Sequence, residues 1–286
     1  MVMKKDKIKE IIYINLLRIS GFISLAILIF IISFIILKGI GVINLTFLTS
    51  IWTHNDITQG GIIQAIIGTI MLGIGVSIIS IPLGVCTAIY LHEYASNNIL
   101  TKSIKLSIRN LAGIPSVIYG LFGLAFFVLF LKLGGSVLSA SLTLGCMTLP
   151  WIITSTEEAL KAVPDSFREG SYALGATKWQ TIKKNVLPNA SGGIITGSIL
   201  GVSRSLGETA PIIIVGATFF ISYLSYSPLD KFMALPYHIF ILATQHSSPY
   251  AQQYALGTAL VLISVIFIMN LSAFIIRYKI RGKKEW

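Results

Sequence analysis

Arg204 and Glu208 have the strongest claim to chemistry in this sequence, because both fall inside the long apolar run from Gly192 to Ile221, where ionisable groups are costly. Read as one helix rising about 1.5 Å per residue, the run puts Arg204 about 18 Å from its start, with Glu208 one turn further along the same face. At that spacing the two can pair. A guanidinium there offers a passing oxyanion a planar fork of charge-assisted donors, with Glu208 orienting it and partly neutralising it. A permanent ion pair that pins helices or subunits together has the same signature, and spacing leaves both readings open.

Other chemistries find little support. No glycine-rich stretch ends in Gly-Lys-Ser or Gly-Lys-Thr, so the chain lacks the loop that cradles nucleotide phosphates and is not expected to hydrolyse ATP. His54, His92, His238 and His246 are scattered, read as solvated side chains in loops or at interfaces, and suggest no metal site. Cys86 and Cys146 sit in apolar stretches without partners at ligand spacing and read as packing residues. No catalytic constellation is suggested.

The elements that must position Arg204 and Glu208 are membrane spans. With 54% hydrophobic and 12% charged residues in 286, there is too little polar surface to cover a water-soluble globule. Six stretches reach the length of a spanning helix: Ile19 to Leu37, Ile62 to Leu91, Leu111 to Leu131, Leu133 to Thr154, Gly192 to Ile221 and Ala255 to Ile276. The first follows a basic start but is too long for a signal peptide and lacks a small-residue cleavage pattern, so it is expected to remain as a span. Eighteen of the 22 Lys and Arg lie in the start, the second and fourth connections and the tail. Only Lys38, Lys132 and Lys231 lie in the other connections. Both termini are therefore expected in the cytoplasm, and orientation accounts for the net charge of +11 without a nucleic-acid partner.

Two longer segments interrupt the spans. The outer one, Ser222 to Gln253, contains a half-apolar piece, Met233 to Thr244, that reads first as a loop capping the bundle and alternatively as a short helix on the external face. The inner one, residues 155–190, carries helix punctuation. Ser166 and Glu169 have capping-box spacing, Phe167, Ser171 and Leu174 share one face, and Gly175 supplies a stop. Thr177 then caps a second amphipathic helix that is expected to end at Pro188. Such a pair either lies on the bilayer surface or docks on a soluble partner, and spacing does not choose. In the fifth run, Gly193, Gly197 and Gly201 have the small-residue spacing of close helix contact, while Pro82 and Pro115 mark expected kinks in the second and third spans.

The stretch Glu169 to Pro188, EGSYALGATKWQTIKKNVLP, resembles the cytoplasmic EAA loop of binding-protein-dependent ABC importers: Glu169-Gly170-Ser171 stand for Glu-Ala-Ala, Gly175 follows at the family's gap, and Leu187-Pro188 closes the motif. Asn185 departs from the usual apolar residue. Further strings, IPLGVCTAIYLHEYA from Ile81, LAGIPSVIYGLFGLA from Leu111, TEEALKAVPDSFREG from Thr156 and SRSLGETAPII from Ser203, resemble phosphate-importer permeases of the PstA type. The resemblance implies an all-α polytopic fold of the type I ABC importer class, with six spans and a coupling helix between the fourth and fifth. It divides the chain into a cytoplasmic start (1–18), a first span with its external loop (19–61), the permease domain (62–276) and a basic tail (277–286).

By the same resemblance, Ser166, Phe167, Glu169, Gly170, Ser171, Gly175, Ala176 and Thr177 contact the ATPase, and Arg204, Glu208 and Thr209 line the substrate path. The implied partners are a second, PstC-like permease, two PstB-like subunits that bind the ATP and magnesium, and an extracellular PstS-like phosphate-binding protein. This chain itself holds no cofactor. The implied location is a bacterial cell membrane. The paralogous PstC-type subunit, a permease for sulfate, molybdate or phosphonate, and an ion-coupled secondary transporter are the alternatives.

Overall fold

The computed structural model describes residues 2–53 and 57–281, with side chains from 10 to 279 outside that gap. The sequence readings for His54 and for Lys283 and Lys284 of the tail lie outside the described residues. Every regular element among them is helical.

α1, Val2–Gly39, is longer than the expected first span and stands at the edge of the bundle, its apolar side chains exposed. It approaches the rest where Gly39 meets the backbone of Leu256 so closely that a Cβ would lie 2.8 Å from that carbonyl oxygen. The short α2, Leu45–Thr49, is capped by Asn44, whose side chain accepts from Phe47 N–H. α3, Ile63–Ile89, runs unbroken through Pro82 and finishes in a wider π turn, Tyr90–Tyr94.

A helix that the sequence read as a basic connection precedes the third expected span. α4, Ile99–Leu111, buries no residue and meets the next helix at a bend of 100°. α5, Ser116–Gly123, continues as a π turn through Phe130, with Pro115 preceding the helix, where a missing N–H costs nothing. α6, Val137–Lys161, lies against α3, and small residues permit the approach: Gly84 packs on Ile152, Gly145 on Ile79, and Gly75 directly on the Ser141 hydroxyl. The first N–H groups of α6 are satisfied by the outer loop, Val137 donating to Asp230 O and Leu138 to Pro228 O.

α7, Ser166–Ala173, begins where expected, but the Ser166–Glu169 capping box does not form. Asp165, just before the helix, instead accepts from Arg168 Nη1 at 3.1 Å. The helix terminates at Leu174 and at Gly175, whose φ of +80° is the left-handed geometry glycine adopts without strain. Leu174, expected to share a face with Phe167 and Ser171, is turned outward by this termination and is 90% exposed. α8, Lys178–Thr181, carries the capping box in full: Thr177 Oγ1 accepts from Gln180 N–H, and Gln180 Oε1 from Thr177 N–H. It does not stop at Pro188. A π turn, Ile182–Val186, leads into α9, Leu187–Ser205, and Leu187 N–H bonds five residues back to Ile182 O. The widened turn lets the helix pass a proline that can neither donate nor tolerate a regular carbonyl four residues earlier.

The fifth expected span is broken. α9 stops at Ser205, residues 206–209 turn, and α10, Ala210–Val215, ends at Gly216 with φ of +117°. Four described helices are thus each long and apolar enough to cross a membrane, α1, α3, α6 and α12 (Ala251–Arg281), while the third expected span is the shorter run 116–130, set at the bend after α4, and the fifth is broken after Ser205.

The outer segment is a correction. Its apolar piece is not a loop laid over the bundle but is packed into it: Phe232, Met233, Ala234 and Leu235 are fully buried, Gly68 of α3 packs directly on the Met233 carbonyl oxygen, and Leu235 N–H donates to Thr69 Oγ1 at 2.9 Å. α11, Leu235–Thr244, follows. It carries His238, which is wholly buried, against the expectation of solvated histidines. That ring lies edge-on to Trp52 at 4.4 Å and stacks on Phe219 at 5.0 Å. Burial first, and His246 second, push the His238 pKa down to about 3. Cys86 is exposed, not packed, while Cys146 is half-buried, and both are free thiols.

Candidate functional site

Arg204 occupies the last turn of α9, and the helix reaches it because three glycines let it lie against α6. A Cβ added at Gly193 would come within 2.7 Å of Ala159 Cβ, at Gly197 within 2.5 Å of Ser155 Oγ, and at Gly201 within 2.7 Å of Trp151 Cδ1. Steps of four on one helix thus meet steps of four on the other, which is how a small-residue row fixes register. The row delivers Arg204 to Trp151, and the guanidinium carbon sits 5.7 Å from the centre of that ring, in cation–π range.

After Arg204 the chain turns sharply, with Gly207 N–H bonding to Arg204 O and Glu208 N–H to Ser205 O. This break overturns the continuous-helix geometry read from the sequence. Glu208 is not one regular turn further along an uninterrupted face, and no carboxylate among the described residues lies within ion-pair distance of Arg204. Arg204 is exposed and its guanidinium donates no hydrogen bond within the described chain, while Glu208 is half-buried. Thr209 stands at the start of α10, half-buried and outside the cavity wall.

Both charged groups face one cavity of about 290 Å³ between α9, α6 and the start of α5. Its remaining polar lining includes Ser116, Tyr119, Thr148 and Ser205, with Trp151 and Gly201 beside Arg204. The basic side chain sits at a helix C-terminus, which favours its charge, and its donors are free to meet an anion entering the cavity. Trp151, Thr148 and Ser116 were not singled out from the sequence. Each is unremarkable in its own stretch and gains meaning only from the packing of α6 and α5 around the end of α9.

The inner segment forms a second surface. Phe167 turns inward onto Leu160, Val163, Val186 and Ala190, and the Ser171 and Thr181 hydroxyls pair at 2.9 Å, joining α7 to α8. Ala176 is half-buried, its N–H donating to Ser171 O. Ser166, Glu169, Gly170, Gly175 and Thr177 are exposed, and neither Gly170 nor Gly175 has an atom near the place of a Cβ. The outer face of α7 is therefore open, with Tyr172, Ala173 and Leu174 on it. Arg168, not anticipated, is the anchor beneath it: it bonds Glu93, Asp165 and the carbonyls of Leu160 and Val163. Burial opposes its charge, but the bond and attraction from Glu93, with Asp165, hold its pKa above the ordinary arginine value. From Leu187 to Ser205, α9 connects the two regions over about 27 Å. Among the described residues, no group of three His, Cys, Asp or Glu is placed to hold a metal ion.

The sequence pattern of the binding-protein-dependent transport system inner membrane component family matches residues 80–282. Among curated relatives, the probable ABC transporter permease protein YqgI of Bacillus subtilis (strain 168) is 31% identical over 278 residues, covering 93% of this chain and 94% of its own. The phosphate transport system permease protein PstA 1 of Mycobacterium tuberculosis (strain ATCC 25618 / H37Rv) is 34% identical over 239 residues, 79% of this chain and 75% of its own. The probable phosphate transport system permease protein PstA of Methanocaldococcus jannaschii is 32% identical over 265 residues, 91% and 90%. Two solved structures share the fold. The inward-facing MetNI methionine ABC transporter matches with a TM-score of 0.64 at 16% identity, over 77% of this chain and 95% of that one. A bacterial alginate ABC transporter in complex with its pentasaccharide-bound periplasmic protein also gives 0.64, at 15% identity, over 90% and 92%. With its apolar helices, its helical core and a family match over most of its length, this multi-pass membrane protein belongs to the inner-membrane components of binding-protein-dependent transport systems and has the ABC importer permease fold.

Proposed function

We propose that the chain is a PstA-type permease subunit of an ATP-driven importer of inorganic phosphate, and that the anion passes Arg204. The observation that carries the anion path is a guanidinium with unused donors, propped on Trp151 and facing a polar-lined cavity. The names of the Mycobacterium and Methanocaldococcus relatives support phosphate as the cargo. Trp151 holds the guanidinium by its face and leaves the N–H edges to the anion. Glu208, in the same cavity wall but not bonded to Arg204, adds an opposing charge that keeps the anion from binding tightly enough to stall.

The open face of α7 is the coupling surface for an ATPase subunit, with Glu169 and Gly170 at its centre. The basic connections, including residues 155–190 that contain α7, face the cytoplasm, as the distribution of Lys and Arg supports. A PstC-like second permease completes the pathway, two PstB-like subunits hydrolyse ATP, and a PstS-like protein delivers phosphate from outside. Closure of the ATPases on ATP then moves the coupling segments and rocks the two permeases between inward and outward openings.

The test is uptake of labelled phosphate at low concentration by bacteria lacking this subunit, complemented with wild type, Arg204→Ala or Gly170→Arg, with membrane assembly verified. Restored uptake by wild type, with uptake lost in both assembled variants, is the expected result. Unimpaired uptake in Arg204→Ala removes the residue from the anion path. Failure of assembled wild type to restore phosphate uptake points to another oxyanion.

A further inference from the structure

The coupling surface has a root that the anion path does not explain. Arg168 donates five hydrogen bonds, as many as it has N–H groups. Nε and Nη2 reach Glu93 Oε1 at 3.3 and 2.8 Å, Nη2 also reaches Leu160 O at 3.1 Å, and Nη1 reaches Val163 O at 2.9 Å and Asp165 Oδ1 at 3.1 Å. One side chain on α7 thereby grips the end of α6, the turn before α7 and the π turn that finishes α3. The Arg168 and Glu93 side chains are only 13% and 6% exposed. His92 Nε2 lies 3.8 Å from the same Glu93 oxygen.

A buried ion pair adds little stability over apolar packing, but it demands one geometry and so resists sliding. Lysine, a point charge with three donors, cannot reproduce the grip. At its far end α3 meets the outer segment, where Gly68 packs on the Met233 carbonyl oxygen, Thr69 accepts from Leu235 N–H and Gln64 donates to Ile221 O. Gly68 and Glu93 stand about 38 Å apart along the helix.

We propose that the Arg168–Glu93 contact is the joint through which movement of the coupling helix is passed to α3, and by α3 as a rod to the outer segment at Met233. Arg168 and Glu93 are positioning residues for transport, not contacts of the ATPase or of the anion. This rests on the reading of α7 as the coupling surface, and it adds a route to the outer face besides α9.

The experiment uses the whole importer in proteoliposomes with its binding protein, measuring labelled phosphate transported and ATP hydrolysed in the same sample. Two variants are compared with wild type: Glu93→Gln, which keeps shape but removes the negative charge, and Arg168→Met with Glu93→Leu, which leaves no unpaired charge buried. The expected result is hydrolysis retained within about twofold while phosphate moved per ATP falls tenfold or more in the double variant and less in Glu93→Gln. A ratio equal to wild type in either assembled variant overturns the proposal, as does a parallel fall of both activities. Gly170→Arg separates the underlying reading: if hydrolysis and transport persist there, α7 is not the coupling surface, whatever the joint variants do.

Discussion

His238 makes the protein's stability depend on pH in a way that can be calculated. The imidazole is wholly buried between Trp52 and Phe219, and neither ring nitrogen has a hydrogen-bond partner among the described residues. Its pKa is about 3 in the fold against the ordinary 6.5 in an unfolded chain. The folded form resists the proton and the unfolded form accepts it, so the unfolded state binds more protons between these values. Stability from this group is complete above about pH 6.5 and is lost as pH falls from there towards 3. At pH 5 the loss is about 2 kcal/mol, from about 1.4 kcal/mol for each unit below 6.5. For a chain of this size that corresponds to roughly 4–8 °C in the midpoint of thermal unfolding. The assay is loss of the monodisperse peak after heating detergent-solubilised protein at pH 7.5 and at pH 5, for wild type and for His238→Phe. Other groups titrate in both proteins, so the difference between their pH responses isolates His238. An equal acid shift in the two proteins would refute the reasoning.

Two further substitutions test packing and capping. Gly68→Ala places a methyl against the Met233 carbonyl, where backbone on both sides has little room to yield, and is expected to cost about 1–3 kcal/mol, read as a lowered thermal midpoint together with reduced phosphate uptake. Thr177→Ala removes the side-chain acceptor for Gln180 N–H, and a destabilisation of about 1 kcal/mol is expected, read by hydrogen exchange at residues 178–181.

Local signals were legible where the physics is local. Gly175 stops α7 because the backbone there must turn left-handed, and Thr177 caps α8 because its hydroxyl reaches the helix's third N–H, so neither depends on distant residues. The glycine row of α9 was legible because close approach requires missing side chains at every fourth position, although the sequence did not name Ala159, Ser155 and Trp151 as the surfaces it meets. The Ser166 capping box does not form because Asp165, not Ser166, stands at the N-cap, with its carboxylate taken by Arg168, which also reaches Glu93 and two carbonyls. Pro188 read as a stop because a regular helix cannot pass it, and the π turn before it removes that obstacle.

Composition, apolar run length and the placement of Lys and Arg determined by themselves that this is a polytopic helical membrane protein, since hydrocarbon admits few polar groups and cytoplasmic loops collect positive charge. They also marked Arg204 as costly and α7 as an amphipathic interruption. Only the tertiary structure decided that the fifth run breaks after Arg204, that Glu208 shares its cavity without pairing, that the apolar outer segment turns inward, and that Arg168 grips Glu93. These outcomes turn on which side chains meet across 75 or more residues of sequence or across a helix break, and neither periodicity nor propensity along one chain carries that information.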